Sequence, residues 1–310
     1  MFAAYLRKLY RVVRDFLQLY NCRMEKSKIL ENWQNKTFVL ATMHDKERII
    51  APLFQSELGV NVIVPEEFNT DRFGTFTKDV QRAGNQLEAA RKKARAAMEI
   101  TGIDIGLASE GSFGAHPSIP FISSNLEIVV LIDTKNDLEI VGHYRTSDVQ
   151  AKGQEVSSVE EAIKLAVSWG FPEQGIILRS SEKNNKDIYK EITTMTDLRT
   201  TGEKLLSKWL VKSFFLETDM RAHRCPARMM SIKQATMDLI ENCKALCPEC
   251  ATPGFVITDV VKGLPCNSCG LATDLVKETI HSCKKCLYRE IKPIVKKTFA
   301  EPGDCKWCNP

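Results

Sequence analysis

Four CxxC pairs occupy the last 64 residues of the chain: Cys247/Cys250, Cys266/Cys269, Cys283/Cys286 and Cys305/Cys308. Two sulfurs three residues apart on a tight knuckle reach one ion, so eight thiolates at this spacing make two tetrahedral four-cysteine zinc sites. Closed all-thiolate centres are structural, because no coordination position stays open for a substrate. The pairs are separated by 15, 13 and 18 residues, lengths that suit short strands, and three partnerings are open: sequential, nested or interleaved. Antiparallel strands over residues 255–264 and 275–280 would interleave the sites, whereas a hairpin over residues 255–265 would make them sequential. Cys243 shares the apolar side of its helix with Ile232, Ala235 and Leu239 and reads as a buried thiol. Cys22 and Cys225 read the same way, and four complete pairs leave His281 unneeded as a ligand.

The other residues able to do chemistry lie where strands end. One strand runs into Thr42-Met43-His44-Asp45-Lys46-Glu47, a second is followed by residues 71–77 (DRFGTFT), and a third runs into residues 109–116 (SEGSFGAH). In open α/β sheets ligands bind beyond the carboxyl ends of strands, where helix N-termini offer free N–H groups to anions. The candidate catalytic set is therefore His44, Lys46, Asp71, Glu110 and His116. Asp71 and Glu110 would be hard oxygen ligands for Mg²⁺, Lys46 a phosphate contact, and either histidine an acid or base. Singly, each has an ordinary structural explanation as a cap, a turn former or a satisfied polar group. A second polar group, Asp219, Arg221, His223 and Arg228 around Cys225-Pro226, reads either as a salt-bridged junction or as a donor to the same crevice.

The elements that must position these residues follow from periodicity. Residues 37–42 (TFVLAT) predict a buried strand, 45–58 a helix, 60–64 a strand, 85–101 a long helix on an alanine-rich inner face, and 103–109 a strand followed by a Gly-rich loop through Pro117. Residues 126–133 and 138–147 predict a hairpin. SSVEE gives a helix start at Ser157 or Ser158 that runs to Gly170, residues 175–180 a strand, and residues 201–217 and 228–246 two more helices. The fold class is α/β: a mixed sheet flanked by helices, then a helical segment and a small C-terminal zinc-ribbon-like module. The expected domains are 1–36, a basic amphipathic helix; 37–200, the α/β domain; 201–246, connecting helices; and 247–310, the two-zinc module.

Charge and composition narrow the function classes. The formal net charge is +4, but residues 1–36 alone hold eight Lys/Arg against three Asp/Glu. A basic excess confined to one helix gives weak support for nucleic-acid binding. That helix, with Phe2, Tyr5, Leu6, Leu9, Val12, Val13, Phe16, Leu17 and Tyr20 on one side, suits packing or homo-oligomer contact, a membrane surface, or organelle targeting. No apolar run approaches the roughly 20 residues of a membrane span. Eleven cysteines, eight of them in metal spacing and none behind a secretory signal, predict a reducing, cytoplasmic setting.

The motifs ATMHDKE at Ala41, DRFGTFTKDVQR at Asp71, ASEGSFGAHP at Ala108, TDMRAHRCPARM and CPEC…LPCNSCG…CKWCNP resemble those of a family of uncharacterised bacterial and eukaryotic proteins, a domain of unknown function, over residues 37–310. More remotely, ATMHDK, GTFT with EAARKKA, and ASEGSFG are similar to the loops of the inosine-triphosphate pyrophosphatase superfamily, which hydrolyses non-canonical nucleoside triphosphates. His44 stands where that superfamily has Asn, and Glu110 replaces a pair of aspartates. The resemblance implies a Mg²⁺-dependent phosphohydrolase acting on a nucleotide or other phosphate-containing small molecule. The competing expectation is a non-catalytic zinc-ribbon adaptor that binds nucleic acid or protein through Lys284, Lys285, Lys296, Lys297 and Trp307.

Overall fold

The computed structural model describes residues 27–42, 45–66, 68, 85–182, 187–208, 212–294 and 297–310. Residues 27–33 are helical; the amphipathic stretch predicted N-terminal to them lies outside the described residues, as do His44 and Asp71. The chain divides into two compact units, one spanning residues 35–239 and one in which residues 240–310 join the segment ending at Gln34.

The larger unit holds a five-stranded mixed sheet of β1 (Thr37–Ala41), β2 (Asn61–Ile63), β3 (Ile105–Ala115), β4 (Ser123–Asp133) and β5 (Leu138–Thr146), in the order β2-β1-β3-β4-β5. β1 is parallel to both β2 and β3, whereas β3, β4 and β5 run antiparallel in sequence. Helix α1 (Glu47–Leu58) connects β1 to β2 in one direction, and α2 (Gln86–Thr101) connects β2 to β3 in the other. Right-handed crossovers that diverge in this way place their helices on opposite faces. The packing agrees: Ala90, Ala94, Ala97 and Met98 of α2 meet Val39, Ala41, Ala108, Ile128, Val130 and Ile132. From the other face, Phe38 contacts Phe54 of α1 edge-on at 5.8 Å. Small alanines let α2 lie close to the sheet, and Asn85 starts it with a complete capping box to Glu88, worth about 1 kcal/mol.

A second sheet in the same unit has the order β6-β9-β7-β8, formed by β6 (Gly153–Val156), β7 (Ile176–Arg179), β8 (Ile188–Ile192) and β9 (Phe214–Thr218). Helices α3 (Val159–Ser168) and α4 (Met195–Leu206) share its core with Val156, Phe171, Ile176, Leu178, Phe214 and Leu216. This corrects the expected helix over residues 201–217. The helix ends at Leu206, and Phe214, Leu216 and Thr218 alternate into a sheet beside β6 and β7. The Gly-rich loop expected after Ser109 is also corrected: β3 continues through Ala115, paired residue by residue with β4.

Helix α5 (Pro226–Lys244) covers the α1 face of the sheet at β5. A Cβ at Gly142 would stand 2.2 Å from Leu239 N and 2.4 Å from Ala235 O, so this backbone-to-backbone approach admits only glycine. In the smaller unit, β10 (Val256–Lys262), β11 (Val276–Ser282) and β12 (Arg289–Pro293) form an antiparallel sheet in that order. Among the described residues no helix is long and apolar enough to cross a membrane.

Candidate functional site

Two kinds of site emerge, each within its own unit. In the smaller unit the cysteines gather as Cys247, Cys250, Cys283 and Cys286, and as Cys266, Cys269, Cys305 and Cys308, each set with all sulfurs within 4.8 Å of one another. The partnering is interleaved, first pair with third and second with fourth, because β10 and β11 are antiparallel strands and carry alternate knuckles to opposite ends. Sulfurs stand 3.6 Å apart in Cys247/Cys286 and Cys250/Cys283, 3.9 Å in Cys266/Cys308 and 3.7 Å in Cys269/Cys305. Zinc–sulfur bonds of about 2.3 Å in a tetrahedron put sulfurs about 3.8 Å apart, whereas a disulfide needs about 2.05 Å. Each tetrad could therefore hold a zinc ion without rearrangement.

The knuckles show why the backbone suits this. In all four of them the N–H of the residue after the second cysteine returns to the carbonyl of the first: Asn309 to Cys305 and, with left-handed backbone, Ala251 to Cys247, Gly270 to Cys266 and Leu287 to Cys283. The last three take φ values of 55°, 74° and 64°, which cost Ala and Leu energy that metal binding would offset. Cys243 and Cys225 lie outside both tetrads and are buried. Burial pushes both thiols up from their ordinary value, in Cys225 against donation from the Arg228 and Ala227 N–H groups. His281 is not a ligand; its ring packs 5.8 Å from Phe255.

In the larger unit, charge collects where the sheet reverses its winding. β1 ends at Ala41, paired with Ala108, so Ser109 and the residues after it extend past its end. Between β1 and β3 the connections diverge, and this is where open α/β sheets form their ligand crevice. Lys46, at the start of α1, bridges the gap: its Nζ donates to Ser109 Oγ at 3.0 Å and to the Ser109 carbonyl at 3.4 Å. The residue is partly exposed, but its ammonium is drawn inward. Burial lowers its pKa to about 8; nearby Glu110 opposes this and Arg228 reinforces it.

Glu110 and Glu127 supply the counter-charge. Glu110 is ion-paired with Lys93 of α2, both nearly inaccessible. Gln86 holds the adjoining backbone, donating to the carbonyls of Glu110 at 2.7 Å and Leu126 at 2.9 Å, and accepting from Ser112 Oγ. Glu127 on β4 lies opposite Gly111 and accepts from Arg228 Nε at 2.8 Å, with both side chains at most 1 % exposed. Arg228 also donates to the Met220 carbonyl and lies over the Phe113 ring at 5.8 Å. Lys46, Glu127 and Arg228 thus gather on the α1 side of the sheet, and the Glu110–Lys93 pair, on the α2 side, lies close enough to act on the Lys46 charge.

Of the five sequence candidates, the structure brings Lys46 and Glu110 into this region. It does not bring His116 there, since that residue follows the end of β3, six positions beyond Glu110 and about 20 Å away at strand rise. Its ring Nδ1 instead accepts from the Ser118 N–H, a turn contact. His44 and Asp71 lie outside the described residues. Glu110 is held by Lys93 rather than presented as an open metal ligand. Glu127, Gln86 and Asn125 carried no local signal: a Glu inside an apolar strand looks like a solvent-facing position until Arg228, 101 residues away, is seen beside it.

The remaining polar group forms a separate junction. Glu191 is bridged by Arg224 and Arg221, with Asp219 also on Arg221. Partial burial works against its ionisation, but the Arg224 hydrogen bond and the Arg221 charge outweigh it and hold its carboxyl at about 2. Of this group only Arg228 reaches the five-stranded sheet, at Glu127.

The Glu127–Arg228 pair requires glycine at 111: a Cβ there would stand 2.3 Å from Arg228 Nη2 and 2.4 Å from Glu127 Oε1. Gly111→Ala should therefore destabilise the protein by about 3 kcal/mol in urea unfolding, the order associated with a disrupted buried ion pair. Gly114→Ala, with nothing within 4 Å of its Cβ, should change stability by less than about 1 kcal/mol.

No curated protein matches the chain. A family model matches residues 93–310, more than two thirds of its length, and takes in Lys93, Glu110, Glu127, Arg228 and all eight tetrad cysteines but not Lys46. The chain thus belongs to the family described as Domain of unknown function (DUF6671).

Proposed function

We propose that this chain is a zinc-stabilised protein that binds a phosphate-bearing small molecule at the crevice between β1 and β3, and that hydrolysis of that ligand is its reaction. The observation that carries this reading is the charge balance on the α1 side of the sheet, Lys46 and Arg228 against Glu127 at the carboxyl end of the parallel strands, with Glu110 on the other side already neutralised by Lys93. An unbalanced buried cation is costly alone and favourable beside an anion. A phosphoryl group there would meet the Lys46 ammonium and the N-terminus of α1, which stabilise negative charge as a leaving group departs. Because Glu110 is engaged by Lys93, Mg²⁺ taking part in the reaction would arrive on the ligand's phosphates, where that ion commonly keeps most of its ligands. The remote resemblance to nucleoside-triphosphate pyrophosphatases makes a nucleotide the first substrate to try.

Zinc in both tetrads is the other half of the proposal. It also weighs against the adaptor reading for nucleic acid. Residues 240–310 hold ten Lys/Arg and eight Asp/Glu, and two four-thiolate zinc centres, each formally −2, turn that slight excess negative. A net negative charge gives no long-range attraction for phosphate backbones.

Two experiments test these assignments. Atomic spectroscopy of the purified chain should find two zinc ions, one per tetrad. The pair Cys250→Ser with Cys286→Ser should remove one and leave the other, whereas Cys250→Ser with Cys269→Ser should weaken both. For the crevice, calorimetry with sulfate, whose charge is constant from pH 7 to 9, isolates the protein's own titration. The folded Lys46 pKa of about 8 is below its ordinary 10.5. Unliganded, the protein therefore gains stability as pH rises through that window, and an anion that needs the ammonium binds less tightly. Sulfate affinity should fall from pH 7 to pH 9, and Lys46→Met should cost roughly tenfold or more at pH 7. Affinity independent of both pH and Lys46 would refute the site. Phosphate or pyrophosphate release from nucleoside triphosphates, lost in Lys46→Met, would establish the hydrolytic step.

A further inference from the structure

Strand β4 carries two buried acceptors that phosphate binding alone leaves unexplained. Asn125 Oδ1 and Glu127 Oε2 have no hydrogen-bond donor among the described residues, although both side chains are completely buried. Their other atoms are spoken for. The Asn125 amide donates to Glu127 Oε1 at 3.0 Å and to the Ser112 carbonyl at 3.3 Å, which fixes Oδ1 as the free end. Glu127 Oε1 also accepts from Arg228 Nε. Thr42 Oγ1, at the end of β1 and 4 % exposed, is likewise without a partner among the described residues.

Position connects these atoms to the anion site. Glu127 is opposite Gly111, two residues beyond Ser109, so it sits on the same sheet face as Ser109 and about 7 Å further along the strand. Asn125, opposite Phe113, is one further repeat along that face. A ligand whose phosphate rests on Lys46 and Ser109 and which extends along β4 therefore meets hydrogen-bond acceptors. Thr42, with a rotatable hydroxyl, can donate at the phosphate end.

We propose that the crevice ligand is a hydroxyl-bearing phosphate ester, a sugar phosphate, whose hydroxyls donate to Asn125 Oδ1 and Glu127 Oε2. This rests on the phosphate-site reading above and adds the chemical class of the rest of the ligand. Buried acceptors left unpaired penalise a ligand that lacks donors, so a site of this kind discriminates strongly for hydroxyls and weakly for apolar bulk.

The test titrates the zinc-loaded full chain with inorganic phosphate, propyl phosphate and ribose 5-phosphate by calorimetry. Ribose 5-phosphate should bind at least tenfold more tightly than propyl phosphate, which carries the same charge and no sugar hydroxyls. In Asn125→Ser, with folding checked by its unfolding midpoint, that preference should narrow. Equal affinity for the two esters would overturn the inference, assign the two acceptors to bound water and leave the phosphate site standing. Binding of none of the three would overturn both. If the variant does not fold, the ligand series on the unaltered protein still decides.

Discussion

The ion pair between Glu127 and Arg228 is the constraint on which the larger unit depends. Two full charges are held at most 1 % exposed, a placement that costs several kcal/mol per ion unless geometry and hydrogen bonds offset it. The offset comes from the Asn125 amide, the Met220 carbonyl, the Phe113 ring and a bare backbone at Gly111. Because Arg228 is in the first turn of α5 and Glu127 is mid-strand, the pair fixes how that helix meets the sheet. Gly142 then allows the same helix to touch β5 backbone to backbone. Hydrophobic residues of similar volume could hold the helix as firmly, so stability alone does not account for charges here, whereas the proposed anion site would.

The same pair shapes the electrostatics next to it. Among the described residues the part of β3 beyond the end of β1 has no parallel neighbour, and there a lysine at the start of α1 and an arginine from α5 meet one face while a lysine from α2 meets Glu110 on the other. The result is a region whose fixed charge is positive and whose dielectric is low, where an anion gains more than it would at the surface. Lys46 records that environment in its lowered pKa. The smaller unit solves a different problem. Among the described residues, its buried apolar cluster around the first tetrad is Phe255 with Cys247 and Cys283, backed by Tyr288, so ligand cysteines make up much of that core. Zinc–thiolate bonds would reinforce that core and would help offset the left-handed backbone of Ala251 and Leu287.

Much of this was legible in the sequence, for reasons that can be named. The alanine face of α2 and its Asn85 cap, the hairpin of β4 and β5, and the eight metal-spaced cysteines all carry local signals, and all stand where periodicity and spacing put them. Residues 214–218 misled because two phenylalanines and a leucine continue a helical apolar pattern from α4, while the second sheet claims them as a strand. SEGSFGA read as a loop because glycine usually marks a turn; at Gly111 it marks the space taken by a distant ion pair. The partnering of the CxxC motifs needed the antiparallel pairing of β10 with β11, a long-range fact. Glu127 and Arg228 illustrate the general limit: each is unremarkable locally, and only the fold makes them a site.

The most direct test of the crevice is crystallographic. Tungstate mimics phosphate and scatters anomalously, so crystals of the zinc-loaded protein soaked in it would show where a tetrahedral anion settles. A tungsten peak with oxygens in hydrogen-bond reach of Lys46 Nζ and Ser109 Oγ is the predicted result. A peak elsewhere, or none with the crevice open to solvent, would contradict the proposal that this region is built for an anion.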